Sequence, residues 1–203
     1  MVPLGRRERK KVETRRAIKD AALALALDRG VERLTVAEIS EAAEVSPRTF
    51  FNYFSCKDDA LVTDATVTGA EVRARVAGRP ADETPLRTLR AVITESDFFA
   101  AIGADRDQLS ARQRLVEGHA SLRSRQLAQF ATVERAFTEA LAERLDVDAD
   151  EDLRPALLAA LAVAVLRVVL RRWTAGDSRP LEELINSTFD LLGQAGTSGH
   201  DDA

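Results

Sequence analysis

Residues 35–61 read TVAEISEAAEVSPRTFFNYFSCKDDAL, and within this stretch two short amphipathic segments, a tight break and a third helix start follow one another. Thr35 and Glu38 form a capping box, each side chain satisfying a backbone N–H at a helix start, and Val36, Ile39, Ala42 and Ala43 then recur on one face. Glu44-Val45 interrupts that helix, and Ser46-Pro47 restarts it with a hydroxyl N-cap and a proline whose missing N–H costs nothing at the first position. The spacing predicts a second helix over Pro47–Phe54, with Phe50 and Phe54 on one side and Arg48, Thr49, Asn52 and Tyr53 on or near the other. Ser55-Cys56-Lys57-Asp58-Asp59 supplies another cap and an acidic first turn for a third, longer helix. A turn of about three residues between two short helices is the helix-turn-helix pattern, whose second helix can lay a polar side in a nucleic-acid groove.

The distribution of charge agrees with such a partner. The chain of 203 residues has a formal net charge of −4, yet residues 1–19 contain Arg6, Arg7, Arg9, Lys10, Lys11, Arg15, Arg16 and Lys19 against only Glu8 and Glu13. The stretch Arg6–Lys11 reads as a basic arm that follows phosphates or enters the minor groove, with Met1–Gly5 a free tail. From Thr14 to Asp28 the apolar positions Ile18, Ala21, Ala22, Leu25 and Ala26 fall at helical spacing, and Gly30 is a stop signal. This predicts a first helix that packs on the other two.

With 45% hydrophobic but only 5% aromatic residues, the composition favours Ala/Leu-rich helices, so the expected class is all-α with about nine helices. A helix is expected to run without interruption from Lys57 to about Val76, followed by helices from Thr84-Pro85, over Arg106–Val116, from Ser121 to Leu145, over Leu153–Trp173 and over Leu181–Leu192. The expected organisation is an arm and helix-turn-helix domain over 1–56, a second domain over 57–195 and a disordered tail over 196–203. Apolar residues surround the whole circumference of the Leu153–Trp173 helix, which implies burial on more than one side. Its uninterrupted apolar run, Ala156–Leu166, is shorter than the ~20 residues a bilayer requires, so no membrane span is expected.

The order Thr35-Val36, Ile39, Ala43, Val45-Ser46, Thr49-Phe50, Tyr53-Phe54, Lys57, Leu61 resembles the N-terminal domain of the TetR family of bacterial repressors over roughly residues 13–62. The resemblance implies an all-helical homodimer in the cytoplasm that binds a palindromic double-stranded DNA operator and is released by a small-molecule effector. The DNA-binding residues would be Arg6, Arg7, Lys10, Thr35, Ser46, Arg48, Thr49, Asn52, Tyr53 and Lys57. Three positions depart from the family's habit: Glu44 stands at a turn position commonly Gly, Arg48 at a position often Gly, and Phe51 where a phosphate-contacting Tyr is common. Arg48 could read guanine O6 and N7 or hold a phosphate, and Tyr53 could take over the contact Phe51 cannot make.

Two further expectations follow for the C-terminal part. The string Arg-Thr-Phe-Phe-Asn-Tyr-Phe together with Asp152–Trp173 resembles a TetR subfamily associated with acyl-CoA-like ligands, which implies a hydrophobic effector held among Phe98, Phe99, Arg114, His119, Arg123, Phe130, Phe137 and Arg167. Ordinary core packing is the competing reading for each aromatic. Leu158, Val165 and Val169 on one helix and Leu184, Thr188 and Leu191 on the next are the expected dimer interface. With two histidines and one cysteine, Cys56, no metal-ligand cluster or disulfide is expected, and no phosphate loop or nucleophile elbow is present, so neither catalysis nor a cofactor is expected. An architectural DNA-binding dimer without ligand control is the alternative reading.

Overall fold

The computed structural model describes residues 6–62, 69–96, 99, 103 and 105–197. Its α-helices are α1 (Arg6–Arg29), α2 (Val36–Ala42), α3 (Pro47–Phe51), α4 (Lys57–Leu61), α5 (Gly69–Ala77), α6 (Pro85–Thr94), α7 (Arg106–Gly118), α8 (Ala120–Leu145), α9 (Leu153–Thr174) and α10 (Leu181–Thr197), with a short 3-10 turn over Val31–Arg33. The described residues contain no strand. They form two compact units, residues 1–64 with 111–127, and residues 65–110 with 128–203.

The first unit is built around α1. Ile18, Ala22 and Ala26 bury its inner stripe against Ile39 of α2, Phe50 of α3 and Ala60 and Leu61 of α4. Gly30, at φ 85°, lets the chain leave α1 through a conformation that a side chain would strain. Contrary to the sequence expectation, Arg6–Lys11 is not an arm: α1 starts at Arg6 and carries the basic cluster on its first turns. Nor does one helix run from Lys57 to Val76. α4 ends at Leu61, where Val62 is extended (φ −81°, ψ 160°), and a separate helix starts at Gly69.

Residues 111–127, expected in the C-terminal domain, belong to this first unit. They hold α4 at both ends. The buried Arg112 donates to the carbonyls of Ala60 (2.9 Å) and Leu61 (3.3 Å), satisfying acceptors that the last turn of a helix leaves open. At the other end Arg125 grips Asp59 through two nitrogens, Nη2 at 2.7 Å from Oδ2, while Asp59 also accepts from the Ser55 N–H at 2.9 Å. Leu122, fully buried, fills the core between them.

The second unit packs α9 and α10 against α6, α5 and most of α8. Its core is continuous from Val72 and Val76 through Leu89, Ile93, Phe137 and Leu141 to Ala162, Val169 and Ile185. The loop after α5 is locked by ionic contacts: Arg79 makes a bidentate pair with Glu83 (2.7 and 2.9 Å), and Arg144 donates to the carbonyls of Val76 and Arg79. α9 starts at an Asp152 N-cap, which accepts from the Arg154 N–H at 2.8 Å. By length and composition alone α9 is apolar enough to cross a membrane. Its burial decides otherwise, because Ala159, Ala162, Val163, Leu166, Val169, Leu170 and Trp173 are packed in the core. α10 continues to Thr197, into the expected tail, and residues 198–203 lie outside the described residues.

The Asp59 network generates a pH prediction. Burial alone would raise the Asp59 carboxyl, but the bonds from Arg125 and Ser55 outweigh it and hold the group down at about 2, below its ordinary 3.8. A carboxyl depressed in the folded state stabilises fully above its unfolded value, and that stabilisation is lost as pH falls from about 4 through about 2. Asp59→Asn should therefore lower the unfolding temperature at pH 7 and flatten the acid side of the stability curve in that window. Thermal melts from pH 2 to 7 monitored by circular dichroism would show it, and an unchanged acid limb would contradict it.

Candidate nucleic-acid interface

The turn between α2 and α3 sets the direction of the helix that follows. The capping box forms as expected: the Thr35 hydroxyl accepts from the Glu38 N–H at 3.2 Å, and Glu38 Oε2 accepts from the Thr35 N–H at 3.0 Å. α2 ends at Ala42 with Ala43 as its C-cap, and Glu44 then takes φ 53°, the left-handed region that a side chain resists by about 1–2 kcal/mol. The turn is closed by Val45 N–H donating to the Ser40 carbonyl at 2.9 Å.

α3 begins with Ser46 as N-cap, its hydroxyl accepting from the Thr49 N–H at 3.0 Å and lying 2.8 Å from the Thr49 hydroxyl. The helix ends at Phe51, earlier than the expected Phe54, with Asn52 as its C-cap. Phe50 and Phe54 are buried and anchor it. Ser46, Pro47, Arg48, Phe51 and Asn52 are exposed and Thr49 is half-buried, so the outward side presents a guanidinium, a carboxamide, two hydroxyls and a phenyl ring. Hydroxyl and amide groups can donate or accept, and a guanidinium donates in a fork suited to guanine or phosphate.

Tyr53, expected near this open side, instead packs its ring against the core, and its carbonyl accepts from Arg15 at 3.1 Å. The same guanidinium lies 4.5 Å over the Phe54 ring, so Arg15 ties α1 to the end of the helix-turn-helix. Lys57 is a correction of the expected phosphate contact. Its ammonium group donates to the carbonyls of Val31 (2.9 Å) and Leu34 (2.9 Å), with Glu32 at 3.4 Å, so its donors are occupied inside the unit. Arg6, Arg7 and Lys10 lie on the first turns of α1, where Lys10 is exposed; the side chains of Arg6 and Arg7 fall outside the described residues.

Residues 18–62 match the bacterial regulatory proteins of the tetR family, and residues 83–196 match the MftR C-terminal domain. The HTH-type transcriptional regulator TcmR of Streptomyces glaucescens is 36% identical over 195 residues, covering 93% of this chain and 86% of that protein. The chain belongs to the TetR family of transcriptional regulators. Among solved structures, Thermus thermophilus FadR in complex with lauroyl-CoA is similar at 24% identity (TM-score 0.51, covering 93% of this chain and 98% of that one). Bacillus subtilis FadR in complex with stearoyl-CoA is similar at 20% identity (TM-score 0.53, 87% and 96%). As for this family in general, the chain is a regulator and not an enzyme.

Within this TetR-family chain the expected effector residues are divided between the two units. Phe99 and Phe137 are buried in the core of the second unit, and Arg167 sits 5.7 Å over the Phe130 ring. Arg114, His119 and Arg123 belong to the first unit, where the His119 Nδ1 lies 2.8 Å from the Leu115 carbonyl and Arg123 donates to the Glu117 carbonyl. Phe98 lies outside the described residues. One group was missed: the Gln129 Oε1 is buried without a hydrogen-bond partner among the described residues. Its sequence gives no local sign of this.

The expected interface residues also need correction. Val165, Val169 and Leu184 are buried in their own protomer, Leu158 packs partly against the same core, and the half-buried Thr188 donates to the Leu184 carbonyl at 2.7 Å. Of the expected residues Leu191 on α10 is exposed (64%), and the rest of the uncovered apolar stripe is Leu153 (71% exposed), Leu157 (61%), Leu161 (39%) and Val168 (47%) on α9. A groove of about 530 Å³ opens beside it, lined by Val168, Val169, Leu184, Thr188 and Leu191 among others.

Arg48 and Lys57 are thus predicted to behave oppositely. Arg48→Ala should leave stability within about 0.5 kcal/mol, as for an exposed side chain, and weaken DNA binding. Lys57→Ala should lower stability by about 1–3 kcal/mol through the orphaned carbonyls of Val31 and Leu34. Chemical denaturation of both variants beside DNA titrations separates the two roles.

Proposed function

We propose that the protein is an effector-released repressor that reads a palindromic operator as a homodimer. The observation that carries the dimer is the uncovered stripe Leu153, Leu157, Leu161, Val168 and Leu191, because a row of large apolar side chains at helical spacing on a packed helix calls for a covering surface. A second copy supplies an identical stripe about a two-fold axis, and two-fold symmetry then sets two α3 helices about one DNA turn, ~34 Å, apart on an inverted repeat. The proposed DNA contacts are Arg6, Arg7, Lys10, Thr35, Ser46, Arg48, Thr49 and Asn52, with Tyr53 and Lys57 left to their structural roles. Leu157→Glu, exposed in the protomer, should convert the dimer to a folded monomer with greatly reduced operator affinity. Sedimentation velocity decides it: a monomeric wild-type protein would overturn the dimer.

The effector is a small hydrophobic molecule bound in the second unit, and acyl-CoA chemistry is the first to test. Support comes from the two similar structures named as complexes with lauroyl-CoA and stearoyl-CoA, and from the orphaned Gln129 carboxamide together with Arg167 over Phe130. Repression is relieved when the effector binds the DNA-incompetent state more tightly, and the operator's affinity falls by the same coupling free energy. At one hundred times its dissociation constant a long-chain acyl-CoA should stabilise the protein by about 2.7 kcal/mol. It should also release a pre-bound operator duplex. No thermal shift and no release at saturating acyl-CoA would remove this effector class.

A further inference from the structure

Phe51 is the one large apolar side chain on the outward side of α3, and more than half of it, 57%, is exposed. It contributes little to the core, since the neighbouring Phe50 and Phe54 are the buried anchors. Its ring lies edge-on to Phe50, with centroids 5.5 Å apart and planes at 85°. The geometry is that of an apolar probe set among polar groups: Arg48 lies three positions before it, on the same side of the helix, and Asn52 follows it, both exposed.

A phenyl ring has no hydrogen to donate to a phosphate and no lone pair to offer a base edge. In the major groove the one apolar group that distinguishes a base pair is the thymine C5-methyl. We propose that Phe51 reads a thymine methyl in each operator half-site, about one or two base pairs from the base or phosphate engaged by Arg48. The inference rests on operator reading by α3, and it assigns to Phe51 a specificity-determining contact. Removing a methyl group from water against the ring favours thymine over a base that lacks the methyl, while hydrogen-bond partners elsewhere in the groove stay the same.

Uracil is that base, since it keeps every hydrogen-bonding group of thymine and lacks only the methyl. The experiment takes an operator recovered from a random duplex pool with the full-length protein and replaces the thymines of one half-site by uracil one at a time. Equilibrium binding of the wild type should weaken about three- to tenfold at one thymine, the scale expected for one buried methyl. Phe51→Ala should bind the thymine and uracil duplexes equally, and Phe51→Leu, which keeps an apolar side chain and guards against a misfolded alanine variant, should retain part of the discrimination. Wild-type binding insensitive to every uracil, or a sensitivity that persists in Phe51→Ala, would overturn the assignment to Phe51 while leaving operator reading intact. Failure to recover any preferred sequence from the pool would overturn operator reading itself, and this inference with it.

Discussion

A helix of five residues has no stability of its own in water, so α3 keeps its direction only through burial of Phe50 and, just beyond its end, Phe54. Everything exposed on α3 inherits its position from those two rings. The Ser46 cap starts the helix, the Glu44 turn aims it, and Arg15 closes its far end through the Tyr53 carbonyl and the Phe54 face. Loss of either phenyl ring from the core would scatter Arg48, Phe51 and Asn52 together, because nothing in α3 itself resists unwinding.

The next element, α4, is equally short and is secured by different means. Two arginines from residues 111–127 and one lysine at its own first position provide hydrogen bonds to carbonyls and to the Asp59 carboxylate. Charge-assisted bonds of this kind are stronger than neutral ones and lose most when a single partner is removed. The compact unit that carries the DNA-facing helix therefore depends on side chains that arrive some fifty to seventy positions later in the chain. Those partners lie in the stretch, residues 83–196, that matches the MftR C-terminal domain.

Much of the local architecture was legible in the residues. The Thr35–Glu38 box, the Ser46-Pro47 start and the Gly30 exit are signals confined to a few neighbouring positions, and each operates as read. The break after Leu61 comes at Val62, a β-branched residue that helical periodicity alone does not single out and that takes up an extended backbone. The basic start of α1 was read as an arm that follows phosphates, yet the helix extends through it. Lys57, Arg112 and Arg125 carried no local sign of their partners, since their bonds span more than twenty positions.

α9 states the division most directly. Sequence alone determined that this segment is a helix, apolar on all sides, and that one protomer's core would leave part of it uncovered. Tertiary structure alone decided which arc turned inward: Val165 and Val169 went into the core and Leu153, Leu157, Leu161 and Val168 stayed outside. Leucine and valine satisfy either environment, so composition carries no preference between the two arcs, and the choice falls to the neighbours supplied by α6, α8 and α10.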